Sequence, residues 1–235
     1  DATRNEEATQ TRGSDTARPR LSWFAEATGG GWVGEPPRPD AVVRGVGIDT
    51  REDLAERVFV ALRGRHGDGH AHLEAAVAAG ASMLLVEATK ADRCRRSVPV
   101  EVPMLAVADP RTALGTAARV WRSQLAGRVV AITGSCGKTT TKRLLDAALR
   151  GRLSGVASPR SFNNDLGVPM TLLSTPRDAD YVVLEVGTSG PGEIARLASI
   201  VRPHLAIVTM VGRAHLERLG SIEGIAAEKA SLLDR

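Results

Sequence analysis

Residues 128–142 read RVVAITGSCGKTTTK, and no other stretch constrains the chain as strongly. The first six residues form a nearly continuous apolar run, the pattern of a strand buried on both faces of a parallel sheet. A glycine-rich turn follows, and then residues 139–149 take helical spacing, with Leu144, Leu145, Ala148 and Leu149 expected on one buried face. A buried strand that passes through glycines into a helix belongs to an α/β fold, with the turn at the carboxyl edge of the sheet. Glycines let successive N–H groups point at one anion, and the helix N-terminus adds partial positive charge. Gly134, Ser135, Cys136, Gly137, Lys138, Thr139 and Thr140 are therefore expected to hold nucleotide phosphates. Lys138 would supply a full charge and Thr139 a hydroxyl for Mg²⁺. The usual phosphate-loop spacing has a glycine where this chain has Ile132. The plain alternative is a glycine turn capped by threonines.

The rest of the chain fits the same class. Residues 1–20 lack a large apolar side chain and are expected to be a disordered leader. From 21 to about 126, short β-rich runs at 42–48, 58–62, 83–86 and 104–107 are interleaved with helical patterns at 72–79 and 112–125, which predicts a small α/β domain. From 127 to 235, the apolar runs 128–133, 181–186 and 205–210 each lead through glycine into helical sequence, which predicts a parallel, three-layer α/β sheet. The start at Asp1 and the stop at Arg235 right after a helical pattern are expected to be cuts, so the second domain is read as incomplete.

Composition narrows the functional classes. With 43% hydrophobic and 25% charged residues, the chain is neither disordered overall nor fibrous. No apolar run approaches the roughly 18 residues of a membrane span. The formal charge is +4, but aromatics are only 3%, which removes the stacking surface of a nucleic-acid binder. Four lysines stand against 27 arginines, read as codon bias. The two cysteines, Cys94 and Cys136, make neither a disulfide framework nor a four-thiolate zinc site. A reducing compartment, the cytoplasm, fits best.

Three further residues stand out. Glu185 ends the run YVVLE, where a doubly buried strand would normally carry Val or Ile, and a carboxylate there suits a nucleotide's Mg²⁺. The alternative is a salt-bridged strand end. His215 follows the run LAIVTM after a short loop, at the edge where ligands of open sheets bind, and its alternative is a solvated loop histidine. Lys229 shares a helical stripe with Ile222, Ile225, Ala226, Leu232 and Leu233. An amine buried there favours its neutral form, which can add CO₂ to become a carbamate and a metal ligand. The alternative is a snorkelling lysine. The phosphate loop, Glu185 and His215 are expected to converge.

At these residues the chain resembles the Mur ligase family over about 40–235. The matching blocks come in the family's order. Ile48-Asp49-Thr50-Arg51, Val58-Phe59-Val60-Ala61-Leu62-Arg63-Gly64 and Asp68-Gly69-His70 resemble its UDP-substrate domain. GSCGKTTTK resembles its ATP loop, with Cys136 where asparagine is common. Ser161-Phe162-Asn163-Asn164 with Gly167-Val168-Pro169, Leu184-Glu185-Val186-Gly187, Ala214-His215-Leu216-Glu217 and the helix carrying Lys229 complete the series. The asparagine loop and Ala-His-Leu-Glu are most similar to the branch that joins D-alanyl-D-alanine to a UDP-N-acetylmuramoyl-tripeptide.

The resemblance implies ATP-dependent amide formation through an acyl phosphate, with ATP and Mg²⁺ as cofactors. Lys138 would hold the β/γ-phosphates, and Thr139 with Glu185 one Mg²⁺. His215 and carbamylated Lys229 would hold a second. Asn163 and Asn164 would orient phosphate or carboxylate oxygens, and Thr50 and Arg51 the uridine diphosphate end. Lys138, Asn164, His215 and Lys229 are the expected catalytic set. The complete family member has a third, closing domain and is expected to be a monomer, so this chain alone is expected to be inactive. The other class is a non-catalytic nucleotide- or UDP-substrate-binding remnant. A P-loop switch or transport ATPase is weakened by the lack of a Walker B segment. His66, His70 and His72 invite a metal reading, but their spacing does not place all three on one helix face.

Overall fold

The computed structural model describes residues 15–37, 41–64 and 67–234. They fall into two compact units, one of Arg18–Gln124 with Asp165–Ser174, the other of Leu125–Asn164 and Thr175–Arg235 with residues 15–17.

The first unit holds α1 (Leu21–Thr28), β1 (Gly31–Trp32), β2 (Gly45–Gly47), β3 (Arg57–Val60), α2 (Leu73–Ala78), β4 (Met83–Glu87), α3 (Ala91–Arg96), β5 (Met104–Val107) and α4 (Pro110–Arg122). Its sheet runs β1-β5-β4-β3-β2, parallel except for the short edge strand β1. Strand alternation sends Phe59, Leu84, Val86 and Met104 into one core with Leu73 and Ala76 of α2 and Cys94 of α3. The strand expected at 42–48 contracts to three residues, and β1 has too little sequence to show a period. Helix α4 begins two residues before the expected start, because Asp109 accepts hydrogen bonds from the N–H groups of Arg111 and Thr112 and Pro110 takes the first turn.

The expected leader is partly corrected. Residues 1–14 lie outside the described residues, but those from 15 onward belong to the fold. Residues 15–17 form a short 3₁₀ helix, Val43 N–H donates to Pro19 O, and the buried Arg18 donates to Ser174 O at 2.5 Å. Of the three histidines considered together, His66 lies outside the described residues. Both ring nitrogens of His70 are engaged: Nε2 accepts from Glu87 N–H at 3.0 Å, which leaves Nδ1 to donate to Asp68 at 2.6 Å. Burial would raise the Asp68 carboxyl, but hydrogen bonds from Lys90 and His70 outweigh it and hold this group well below the usual carboxylate range.

In the second unit the chain forms β6 (Arg128–Thr133), α5 (Lys138–Arg150) and β7 (Gly155–Ala157). It then contributes α6 (Gly167–Ser174) to the first unit, where Asp165 pairs with Arg111 at 2.7 Å. It continues with β8 (Tyr181–Glu185), α7 (Glu193–Val201), β9 (Leu205–Val208), α8 (Leu216–Leu219) and α9 (Ile222–Ala230). The sheet is β7-β8-β6-β9 and wholly parallel, with Ile132 opposite Glu185 and Thr133 opposite Val208.

Helix α5 is rotated from the sequence expectation. Leu144 is 67% exposed, and the buried face is Lys142 and Asp146 with Leu145 and Leu149 half-buried beside them. The rotation has a polar cause: Lys142 reaches backbone carbonyls below the sheet edge, and Asp146 accepts from the Tyr181 hydroxyl at 2.8 Å. Burial, then the Asp146 carboxylate, push the Tyr181 phenol up to about 12. A raised phenol pKa favours the neutral form in the folded state, so this stabilisation is complete below the unfolded value near 10 and is lost between pH 10 and 12. About two pKa units correspond to about 2–3 kcal/mol. Urea titrations of parent and Tyr181→Phe are expected to diverge below pH 10 and converge toward pH 12, and parallel pH profiles would refute the coupling.

The stripe expected on α9 is narrower than its sequence suggests. Ile225 and Leu232 are buried, but Ile222 and Leu233 are 37% and 58% exposed. Its buried side includes two charged residues, Lys229 and Glu228, the latter accepting from Gly192 N–H at 2.7 Å and Ile194 N–H at 2.8 Å at the start of α7. Among the described residues no helix is long and apolar enough to cross a membrane.

Candidate nucleotide-binding site

Strand β6 ends at Thr133, and the chain turns through Gly134 (φ 151°) and Gly137 (φ 86°) into α5. Gly134 has no alternative: a Cβ there would lie 1.9 Å from Thr209 Oγ1. The Thr209 hydroxyl donates to Cys136 O at 2.5 Å, and its N–H donates to Thr133 O at 2.9 Å. Ser135 N–H donates to Met210 O at 2.8 Å, while its hydroxyl donates to Gly212 O and accepts from Gly212 N–H. The loop is thus stitched to the segment that follows β9. The polar groups of Ser135, expected to face phosphate, are spent on that segment. The N–H groups of the first turn of α5 have no intrahelical partner and remain for an anion. Lys138 Nζ lies across the loop and donates to Gly134 O at 2.6 Å. Cys136 is an exposed free thiol, and Thr140 lies in the first turn of α5.

Glu185 lies on the neighbouring strand and is only 1% exposed. Its Oε2 accepts from the Thr139 hydroxyl at 3.2 Å, and its Oε1 is 2.7 Å from Lys142 Nζ but outside hydrogen-bond geometry. The Thr139 hydroxyl in the first turn of α5 and Glu185 Oε2 at the end of β8 are two adjacent oxygen donors of the kind a hard divalent cation takes. Thr139 and Glu185, expected to share one Mg²⁺, lie within hydrogen-bond distance of each other, and the alternative of a salt-bridged strand end is met by Lys142.

The other expected metal ligands are His215 and Lys229. His215 is exposed, with no side-chain hydrogen bond among the described residues, and sits at φ 60°, a left-handed conformation that non-glycine residues adopt mainly under constraint. Lys229 is 3% exposed. Burial, then the nearby charge of Lys138, lower its pKa, against a smaller opposing effect of Glu228. Among the described residues no three His, Cys, Asp or Glu side chains gather as metal ligands. Asn163 is half-buried against Gly187, whose N–H donates to Asn163 O at 2.7 Å, and Asn164 is exposed. In the first unit, Thr50 and Arg51 follow β2. The Arg51 guanidinium is held by Asp49 at 2.5–3.1 Å, and that contact brings the Asp49 carboxyl down to about 2.

Sequence reading passed over Lys142 and Thr209. Lys142 left a signal: in a chain with 27 arginines, the four lysines are Lys90, paired with Asp68, and Lys138, Lys142 and Lys229, each at this site or beside it. Thr209, at the end of an apolar run, left none.

Two family models match the chain, the Mur ligase family catalytic domain over residues 42–122 and the Mur ligase middle domain over 132–235. The chain is 39% identical over 199 residues to the UDP-N-acetylmuramoyl-tripeptide–D-alanyl-D-alanine ligase of Escherichia coli, spanning 85% of this chain and 42% of that protein. It is 35% identical over 204 residues to the Bacillus subtilis ligase of the same name, spanning 87% and 44%. Among solved structures, MurF from Acinetobacter baumannii superposes with a TM-score of 0.77 at 34% identity, covering 92% of this chain and 46% of that one. MurF from Thermotoga maritima in complex with ADP gives 0.67 at 33%, covering 81% and 43%. The chain therefore spans less than half the length of these relatives. With both family models in their order on the two units, and relatives of one name aligned over most of its residues, the chain belongs to the Mur ligase family.

Proposed function

We propose that this chain carries the nucleotide-binding and UDP-substrate-binding parts of an ATP-dependent ligase that joins D-alanyl-D-alanine to a UDP-N-acetylmuramoyl-tripeptide in the cytoplasm. The observation that carries the reading is the Thr139–Glu185 contact beside the phosphate loop, supported by the names of the relatives. The tripeptide's terminal carboxylate attacks the γ-phosphorus of ATP, ADP leaves, and an acyl phosphate forms. The amine of D-alanyl-D-alanine then attacks its carbonyl carbon, phosphate leaves, and the amine gives up a proton. Every reactant is anionic, so charge neutralisation and alignment are the main tasks.

Lys138 swings from Gly134 O to the β/γ-phosphates, and the first turn of α5 supplies N–H donors. Thr139 and Glu185 would hold one Mg²⁺, which when bound would neutralise phosphate oxygens. Asn163 and Asn164 orient the reacting oxygens, and Thr50 and Arg51 bind the uridine diphosphate. His215 and Lys229, the latter as a carbamate, are assigned to a second Mg²⁺. The buried, depressed amine of Lys229 supports that assignment.

Calorimetric titration with MgATP, and separately with UDP-N-acetylmuramoyl-tripeptide and with UDP-glucose, tests the reading. Binding of MgATP and of the tripeptide nucleotide, with a clear preference over UDP-glucose, is the expected result. A chain that binds no nucleotide, or treats the two UDP compounds alike, would end it.

A further inference from the structure

We propose that Lys142 is a positioning residue that sets the orientation of Glu185 toward Thr139 and fastens the asparagine loop to the same strand end. The proposal rests on the reading of Glu185 as a Mg²⁺ ligand.

Lys142 is 4% exposed, one helical turn beyond Lys138. Its Nζ donates to Ser158 O at 2.7 Å and to Arg160 O at 2.6 Å, and lies 2.7 Å from Glu185 Oε1. One nitrogen therefore joins the end of β7, the following loop and the carboxylate. A compact ammonium can donate to both carbonyls while its charge faces the carboxylate from the same atom, whereas a planar guanidinium spreads its contacts over a fork. Lysine stands at this position in a chain that otherwise uses arginine almost throughout.

The contact acts on both sides. With Oε1 held by Lys142, Oε2 is the oxygen left to face Thr139, and Glu185 N–H is tied to Ser158 Oγ at 3.2 Å. Without the ammonium, a buried carboxylate would lack its compensating charge and the contact that selects its rotamer. On the loop side, Arg160 sits at φ 47°, a left-handed conformation costly for a side-chain-bearing residue, and its carbonyl is the one Lys142 grips. Three residues later, Asn163 is fixed from the strand side, its carbonyl bonded to Gly187 N–H and its amide so close that a Cβ on Gly187 would lie 2.8 Å away. Lys142 and Gly187 thus pin one loop at two points to one strand end.

The test is Mn²⁺ affinity, read by electron paramagnetic resonance on the chain saturated with ADP, with ADP affinity in EDTA measured in parallel. Lys142→Gln keeps a donor and removes the charge. Orienting partners of metal ligands typically contribute 10–100-fold to metal affinity, so Mn²⁺ binding is expected to weaken by about tenfold or more. ADP affinity in EDTA, which reads the phosphate loop, should change far less. Unchanged Mn²⁺ affinity in a folded Lys142→Gln overturns the proposal. If that variant does not fold, ¹⁵N-lysine spectra of the parent decide: with four lysines, a protected Lys142 ammonium signal that shifts on adding Mg²⁺ to the ADP-bound chain supports it, and no response overturns it. Glu185→Gln separates the two ideas. If it retains parental Mn²⁺ affinity, the metal reading fails and the proposal with it; if it loses Mn²⁺ while Lys142→Gln does not, only the role of Lys142 fails.

Discussion

Lys138→Ala is expected to abolish measurable nucleotide binding and to leave the fold in place. Among the described residues the ammonium makes one hydrogen bond, to Gly134 O, so its removal costs about 1 kcal/mol of stability at most. Part of that is returned, because Lys138 is a like charge beside buried Lys229. Toward a triphosphate the same group is a pre-positioned cation over the first turn of α5, and loss of one such donor is worth about 3–4 kcal/mol, or several hundredfold in affinity. Calorimetry with ATP and a thermal melt on the same sample read the two quantities separately. Parental ATP affinity in the variant would remove the phosphate loop from the proposed function.

The second large effect is expected at Gly134→Ala, and here stability and binding fall together. The new Cβ would meet Thr209 Oγ1 at 1.9 Å and Met210 N at 3.2 Å, and φ 151° is a conformation side-chain-bearing residues rarely adopt. Relief requires the loop to leave β9, which breaks the Thr209–Cys136 and Ser135–Gly212 hydrogen bonds. Backbone strain of this kind costs about 1–3 kcal/mol, and the three lost hydrogen bonds, two of them between Ser135 and Gly212, add about 1 kcal/mol each. The double variant Gly134→Ala/Thr209→Ala removes the collision but not the backbone strain, so it should recover part of the stability. Denaturant midpoints measure this, and a double variant no more stable than Gly134→Ala would show that Thr209 is not what excludes a side chain there.

How much of this was legible beforehand varies by element. The run RVVAIT and its glycine turn gave β6 and the start of α5 to within a residue, and MLAV gave β5 without error, because a doubly buried strand must be apolar along its whole length. Glu185 was legible for the same reason: a carboxylate at such a strand's end needs a partner, and it has Thr139 and Lys142. The face of α5 was not legible. Its leucines outnumber its other candidates, but the helix is rotated by what Lys142 and Asp146 reach on β7, β8 and the loop between them.

The sequence by itself determined the class of fold, the place of the phosphate loop and the residue types available there, since those follow from local period, glycine and charge. Only the tertiary structure decided that Ser135 serves the segment after β9 rather than an anion, that residues 165–174 return to the first unit, and that Lys142 stands behind Glu185. Each of those outcomes depends on a partner far away in the chain, 77 residues for Ser135 and Gly212, 54 for Arg111 and Asp165. A hydrogen bond or ion pair at that separation leaves no periodic trace, because its energy is set by where two segments meet and not by the residues on either side of it.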